Sequence, residues 1–143
     1  MGTPSRIGIY ENNEVKSIYC HFDGYIDYNG EILFKHYNTP ERVKELIALG
    51  DLSCLGEEIS KEKIDWTRRY TDSDYYEEVK NKCLPYADRG ETEINATTST
   101  IENYKKLEGY NYLFKDNKWY VSCKHTDWQF EPLENYVTIA KDL

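Results

Sequence analysis

The 143 residues make a chain of single-domain length, and 14 Tyr, 4 Phe and 3 Trp give it enough large rings to bury that disorder is excluded. The formal charge of -8, from 26 acidic against 18 basic residues, leaves no basic field to neutralise a duplex and excludes extended nucleic-acid binding. No apolar run approaches the roughly 20 residues that span a bilayer, and Met1 to Arg6 lacks an apolar signal stretch, so neither membrane association nor export is expected.

In chain order, Ser5 to Tyr10 and Val15 to Phe22 read as strands joined through Asn12 and Asn13, which tolerate the positive φ of a tight hairpin turn. Alternation puts Ile7, Ile9, Ile18, Cys20 and Phe22 on the core face, and Arg6, Gly8, Tyr10, Ser17, Tyr19 and His21 on the other. A short helical segment opens at Gly30-Glu31. Thr39 as N-cap and Pro40 at the first helical position begin a helix with an apolar stripe of Val43, Leu46 and Ile47, closed by Gly50. Asp51 to Leu55 is a short strand or connection, and residues 56 to 72 an irregular excursion. Asp72-Ser73 caps a helix running to about Lys82. Cys83 to Tyr86 and Glu91 to Thr97 are extended around the turn Asp88-Arg89-Gly90. Ser99 with Glu102 forms a capping box for a helix ending near Gly109. Tyr110 to Phe114 and Trp119 to Cys123 make a second hairpin, and Glu131-Pro132 starts a last helix that docks Leu133, Tyr136, Val137 and Ala140. The expected fold is α+β: residues 1–143 as a single domain, with an antiparallel sheet built from two hairpins plus extra strands and helices packed mainly on one face.

The polar face of the first hairpin is the leading candidate site. Arg6 is expected opposite Tyr19, with His21 one pleat further and Asp23 just past the strand end, which gathers a cation, a phenol, an imidazole and a carboxylate. Such a patch grips a phosphate or carboxylate, with Arg6 as a fork and Tyr19 as a stacking wall. Gly8 lets a ligand or another backbone approach. The competing reading is a polar network in which Asp23 merely orients His21. Asp88, Arg89 and Glu91 form a second candidate, a guanidinium between carboxylates on a turn. Trp66, Tyr70, Tyr75 and Tyr76, in a charged and weakly periodic region, are the candidate protein interface.

Cys20, Cys54, Cys83 and Cys123 are widely spaced, contain no Cys-x-x-Cys pair, and read as reduced thiols in the core. With His21, His36 and His125 they give no metal-ligand spacing, so neither a metal nor a cofactor is implied. No phosphate loop, nucleophile elbow or paired-carboxylate motif is present, and the enzymatic alternative is a small hydrolase or nuclease using His21 and Asp23.

The stretch Ser5-Arg6-Ile7-Gly8-Ile9, followed by Lys16-Ser17-Ile18-Tyr19-Cys20-His21-Phe22-Asp23-Gly24-Tyr25, resembles a family of small uncharacterised bacteriophage and prophage proteins. The likeness continues through His36-Tyr37, Val43, Leu46 to Ser53 and Asp88 to Glu91. Phe22 stands where that family has a Trp. The resemblance implies phage origin, a shared fold and the cytoplasm of a bacterial host, and no particular activity. Together with small size and acidity it leads to the expectation of a non-enzymatic binding protein that inhibits or redirects a host protein, such as the CRISPR effector of an antiviral defence. The alternative is a sponge for a nucleotide-type defence signal, its site shared between subunits of a homo-oligomer.

Overall fold

The computed structural model describes residues 2–137. Asn12 and Asn13 both take left-handed backbone angles, φ 54° and 66°, and Asp116 and Asn117 repeat the arrangement at 52° and 62°. These two-residue turns match the twist of paired strands. They join β1 (Ser5–Glu11) to β2 (Glu14–Cys20) and β6 (Tyr110–Lys115) to β7 (Lys118–Cys123). With β3 (Leu52–Cys54), β4 (Leu84–Pro85), β5 (Thr97–Ser99) and β8 (Glu131–Pro132) they complete an eight-stranded, mostly antiparallel sheet of order β4-β3-β2-β1-β6-β7-β8, β5 lying on β2. The hairpins meet through the parallel pairing of β1 with β6, and β3 runs parallel to β2. The α+β expectation holds.

The main core fills one side of the sheet. Ile7, Ile18 and Cys20 of the first hairpin and Tyr112, Phe114 and Val121 of the second pack with Leu33 of α1 (Glu31–His36) and Val43, Leu46 and Ile47 of α2 (Pro40–Ala48). The expected cap of α2 is present: Thr39 Oγ1 accepts the Arg42 N–H at 3.3 Å, with Pro40 at the first position. Gly50, at φ 79°, ends the segment where a Cβ would strike the Ile94 carbonyl. Trp119 locks helix to sheet by donating Nε1–H to the Tyr37 carbonyl at 2.7 Å.

A small second cluster lies on the opposite face, where Val15 and Leu113 pack under Tyr104 of α5 (Ile101–Tyr104). This cluster occupies the space above Gly8. A Cβ there would lie 2.7 Å from Val15 Cγ1 and 2.9 Å from Tyr104 Oη, so the close approach that Gly8 permits is made by the protein's own tyrosine.

Several local expectations are corrected. Phe22 is 38% exposed and lies outside the core. Successive N–H groups of His21 and Phe22 bond to Leu52 and Ser53 of β3, both at 3.0 Å, whereas a regular strand alternates the sides to which it donates. The inward-outward pattern therefore stops at Cys20. The excursion over 56–72 contains α3 (Trp66–Thr71), capped by Asp65, and Asp72 caps α4 (Ser73–Val79), which stops short of Lys82. The chain turns there because Lys82 forms a bridge with Glu58. Strand structure in the Glu91 to Thr97 region begins only at Thr97. Thr100 rather than Ser99 caps α5, accepting the Asn103 N–H at 3.2 Å, and that helix is a single turn that ends well before Gly109. Glu131-Pro132 forms edge strand β8 against Tyr120 and Val121 instead of starting a helix, and one 3-10 turn follows. Leu133 and Val137 still reach the core. Ala140 lies outside the described residues.

Candidate functional site

Strands β2 and β3 run parallel with Cys20 beside Leu52, so Tyr19 falls on the same side as Asp51 and Ser53, and His21 joins it there through a hydrogen bond to the Tyr19 hydroxyl. The side is the one facing away from the main core. Asp51 ties this surface together: its Oδ1 accepts the Tyr19 N–H at 2.9 Å, and its carbonyl accepts the Tyr86 N–H at 3.1 Å. Tyr86 stands just beyond β4, with its phenol close to the Ser53 hydroxyl. Its ring stacks on Trp66, with centroids 5.6 Å apart and planes 24° apart. The Arg89 guanidinium covers both rings, 4.5 Å from the Trp66 centroid and 5.2 Å from that of Tyr86.

The two sequence candidates therefore adjoin. Tyr19 and Tyr86 are close enough that, after burial and Glu108, the Tyr86 phenol contributes to raising the Tyr19 pKa above its ordinary value of 10.0. Burial likewise raises Tyr86. The two phenols remain neutral at physiological pH and present hydrogen-bonding hydroxyls.

Within the first candidate, Tyr19 Oη and His21 Nδ1 are hydrogen-bonded at 2.8 Å. Arg6 does lie opposite Tyr19, but its guanidinium is engaged sideways: Nε donates to Ser17 Oγ at 3.0 Å, and Nη2 to the Ser17 carbonyl at 3.2 Å and to Thr97 Oγ1 at 3.1 Å. It fastens β5 to the hairpin. Asp23 sits at a left-handed φ of 59°, and its carboxylate contributes to raising the pKa of Tyr28 and Cys54. The side-chain hydrogen bond of His21 is made by Tyr19. The pairing with Asp23 that a hydrolytic base would use is not formed.

Asp88, Arg89 and Glu91 also divide their roles. Asp88 accepts the Ile64 N–H at 2.9 Å, holding the excursion to the sheet. Arg89 pairs with Glu91, Nε to Oε2 at 2.7 Å. Of the expected interface residues, Trp66 donates Nε1–H to the Pro85 carbonyl at 3.0 Å and Tyr75 Oη accepts the Asp65 N–H at 2.9 Å, so both are partly buried and internally bonded. Tyr70 and Tyr76 remain 67% and 41% exposed on either side of Arg69.

Sequence reasoning missed Asp51, Ser53 and Tyr86 as parts of the first patch. The strand following Gly50 carried the signal, because placing it parallel to β2 brings those residues beside Tyr19. All four cysteines are unpaired, Cys54 being the most accessible. Among the described residues no group of three or more His, Cys, Asp or Glu is arranged to hold a metal ion, and no helix is long and apolar enough to cross a membrane. No family model matches this sequence, and no curated protein or solved structure matches it.

Proposed function

We propose that this protein is a non-enzymatic binding protein that sequesters a nucleotide-type ligand on the Tyr19–Tyr86–Arg89 face, acting as a phage-encoded sponge for a host defence signal. The observation that carries this reading is the stack of Arg89, Trp66 and Tyr86 beside Tyr19. Aromatic planes suit a base, and a guanidinium held over them suits a phosphate. The Arg89–Glu91 pair is solvent-exposed and so worth little, which lets a phosphate displace Glu91 at small cost. His21, bonded to a phenol rather than a carboxylate, supports binding over hydrolysis.

A second reading, inhibition of a host protein such as a CRISPR effector, is favoured by one observation: Tyr70 and Tyr76 are exposed around Arg69, the residue types that anchor interfaces. Native mass spectrometry on protein isolated gently from phage-infected bacteria separates the two. The sponge predicts an added mass of a few hundred daltons per chain, lost in Arg89→Ala and Tyr19→Ala. A companion of protein size, lost in Tyr70→Ala with Tyr76→Ala, replaces it with the inhibitor. Turnover of the captured molecule that disappears in His21→Ala restores the hydrolase.

A further inference from the structure

A recess beside the main core, against which Tyr110 packs, is not used by the proposed ligand face. It has a volume of about 350 Å³ and is lined by Tyr25, Ile26, Asp27, Tyr110, His125 and Tyr136, a size within the range of small-molecule sites. Three tyrosine rings from three separate parts of the chain converge here. Tyr25 and Tyr110 meet edge to face, with centroids 6.3 Å apart and planes at 66°.

These walls are fixed rather than incidental. The carbonyl of Gly24, just before Tyr25, accepts the buried Tyr112 hydroxyl at 2.6 Å, and the Tyr25 carbonyl accepts the N–H groups of Tyr28 and Gly30 at 3.1 and 3.2 Å. Tyr110 lies between β1 and β7, paired with Ser5 and Cys123. Tyr136 donates its hydroxyl to Glu131. Yet Tyr25 stays 46% exposed, so a ring held in position by the backbone on both sides leaves its own surface to solvent.

The charge in this recess has a definite sign. Asp27 contributes its carboxylate to the wall and lies close enough to Tyr110 to raise that phenol's pKa, after burial and Cys123. Glu131 backs Tyr136. Ring faces carry negative potential and attract a cation. A primary ammonium gives up strong hydration on entering such a site, whereas an ammonium wrapped in methyl groups is weakly hydrated and apolar on its outside. His125, on the rim, is the group that opposes a cation when protonated.

We propose that the Tyr25–Tyr110–Tyr136 recess binds an alkylated ammonium group, with the rings as a cage and Asp27 as counter-ion. The group is carried either by a free choline-like metabolite or by a trimethylated lysine side chain, and the same experiment distinguishes the sources.

The test is titration of the full chain with choline, with a trimethyllysine peptide, and with the uncharged isostere of choline in which carbon replaces the quaternary nitrogen, followed by the NMR signals of the tyrosine rings. Saturable binding of choline or the peptide is expected, with the isostere at least about tenfold weaker. The tighter of the two cations identifies the source. Tyr25→Leu should abolish binding and Tyr25→Phe retain it, because Phe keeps the ring face. Asp27→Asn should weaken it severalfold. Arg89→Ala should leave it unchanged, which separates this site from the sponge. Equal affinity for choline and its isostere, binding indifferent to Tyr25→Leu in a protein of unchanged melting temperature, or no saturable shift with either cation overturns the proposal.

Discussion

Tyr19 and His21 stand side by side at the end of β2, phenol oxygen to Nδ1 at 2.8 Å, and the bond ties the imidazole to the ring wall. The His21 ring also packs edge-on against Phe22 at 4.5 Å. Tyr19→Phe removes the hydrogen bond but keeps the ring. Because both groups are only partly buried, the expected loss of stability is about 1 kcal/mol or less by urea unfolding. Capture of a stacking ligand should survive Tyr19→Phe and fail in Tyr19→Ala. Equal loss of ligand in both variants would mean that the phenol hydroxyl, not the ring, makes the contact.

Arg6 is committed to Ser17 and Thr97, and this commitment has a measurable consequence distinct from ligand binding. Arg6→Ala should release β5 from β2 and speed amide hydrogen exchange over Thr97–Ser99 by several-fold. Affinity for the ligand should barely change, since Arg89 supplies the guanidinium over the rings. A variant with slow exchange at β5 and lost binding would return Arg6 to the site.

Gly8 is required by packing. Its neighbours Val15 and Tyr104 belong to the small second cluster, and Tyr104 Oη is already fixed by a 2.5 Å hydrogen bond to the Tyr112 carbonyl. Neither can yield freely, so Gly8→Ala should cost about 1–3 kcal/mol, the range for overpacking. Urea unfolding measures this directly. A neutral or stabilising result would show that α5 moves away without cost.

The parts of this structure legible in the sequence are those governed by local chemistry. Asn12-Asn13 and Asp116-Asn117 announce their turns, and Thr39-Pro40 its helix, because φ preferences and capping act within a few residues. The pairing of Arg6 with Tyr19 follows from the first turn alone. The illegible parts are set by distant partners. Nothing near Phe22 shows that β3 will take two successive N–H groups and turn the ring outward. Glu131-Pro132 has the form of a helix start, and the free edge of β7 makes it a strand. The candidate site was half visible for the same reason: Tyr19 and His21 share a strand, whereas Tyr86 and Trp66 join them only through Asp51 and the order of β2, β3 and β4.

The cysteines offer a chemical check on the core. Cys20, Cys83 and Cys123 are buried, whereas Cys54 is partly exposed, and burial raises the pKa of Cys20, Cys54 and Cys83. A thiol reagent at neutral pH should therefore modify Cys54 slowly and the other three only after denaturation. Rapid modification of more than one thiol in the native protein, read by mass spectrometry, would contradict this packing.

The buried tyrosines set an alkaline limit on the fold. Tyr37, Tyr104 and Tyr112 are fully buried, and each donates its hydroxyl to a carbonyl: Gly56 at 2.7 Å, Tyr112 at 2.5 Å and Gly24 at 2.6 Å. A phenolate can neither donate these bonds nor be solvated there, so burial holds all three well above the ordinary 10.0. Above pH 10 the unfolded chain loses these protons and the folded chain keeps them, so the unfolded state binds fewer protons and stability falls as pH rises. The contribution is fully present below the unfolded value and is lost on the way up toward the folded ones. At pH 11 three protected phenols together cost about 4 kcal/mol, at about 1.4 kcal/mol for each unit of pH per group. The urea midpoint should hold steady to about pH 9 and then drop steeply. The last part of the tyrosinate absorbance should appear only with unfolding. If all of the absorbance develops in a folded protein, the three hydroxyls are not buried donors.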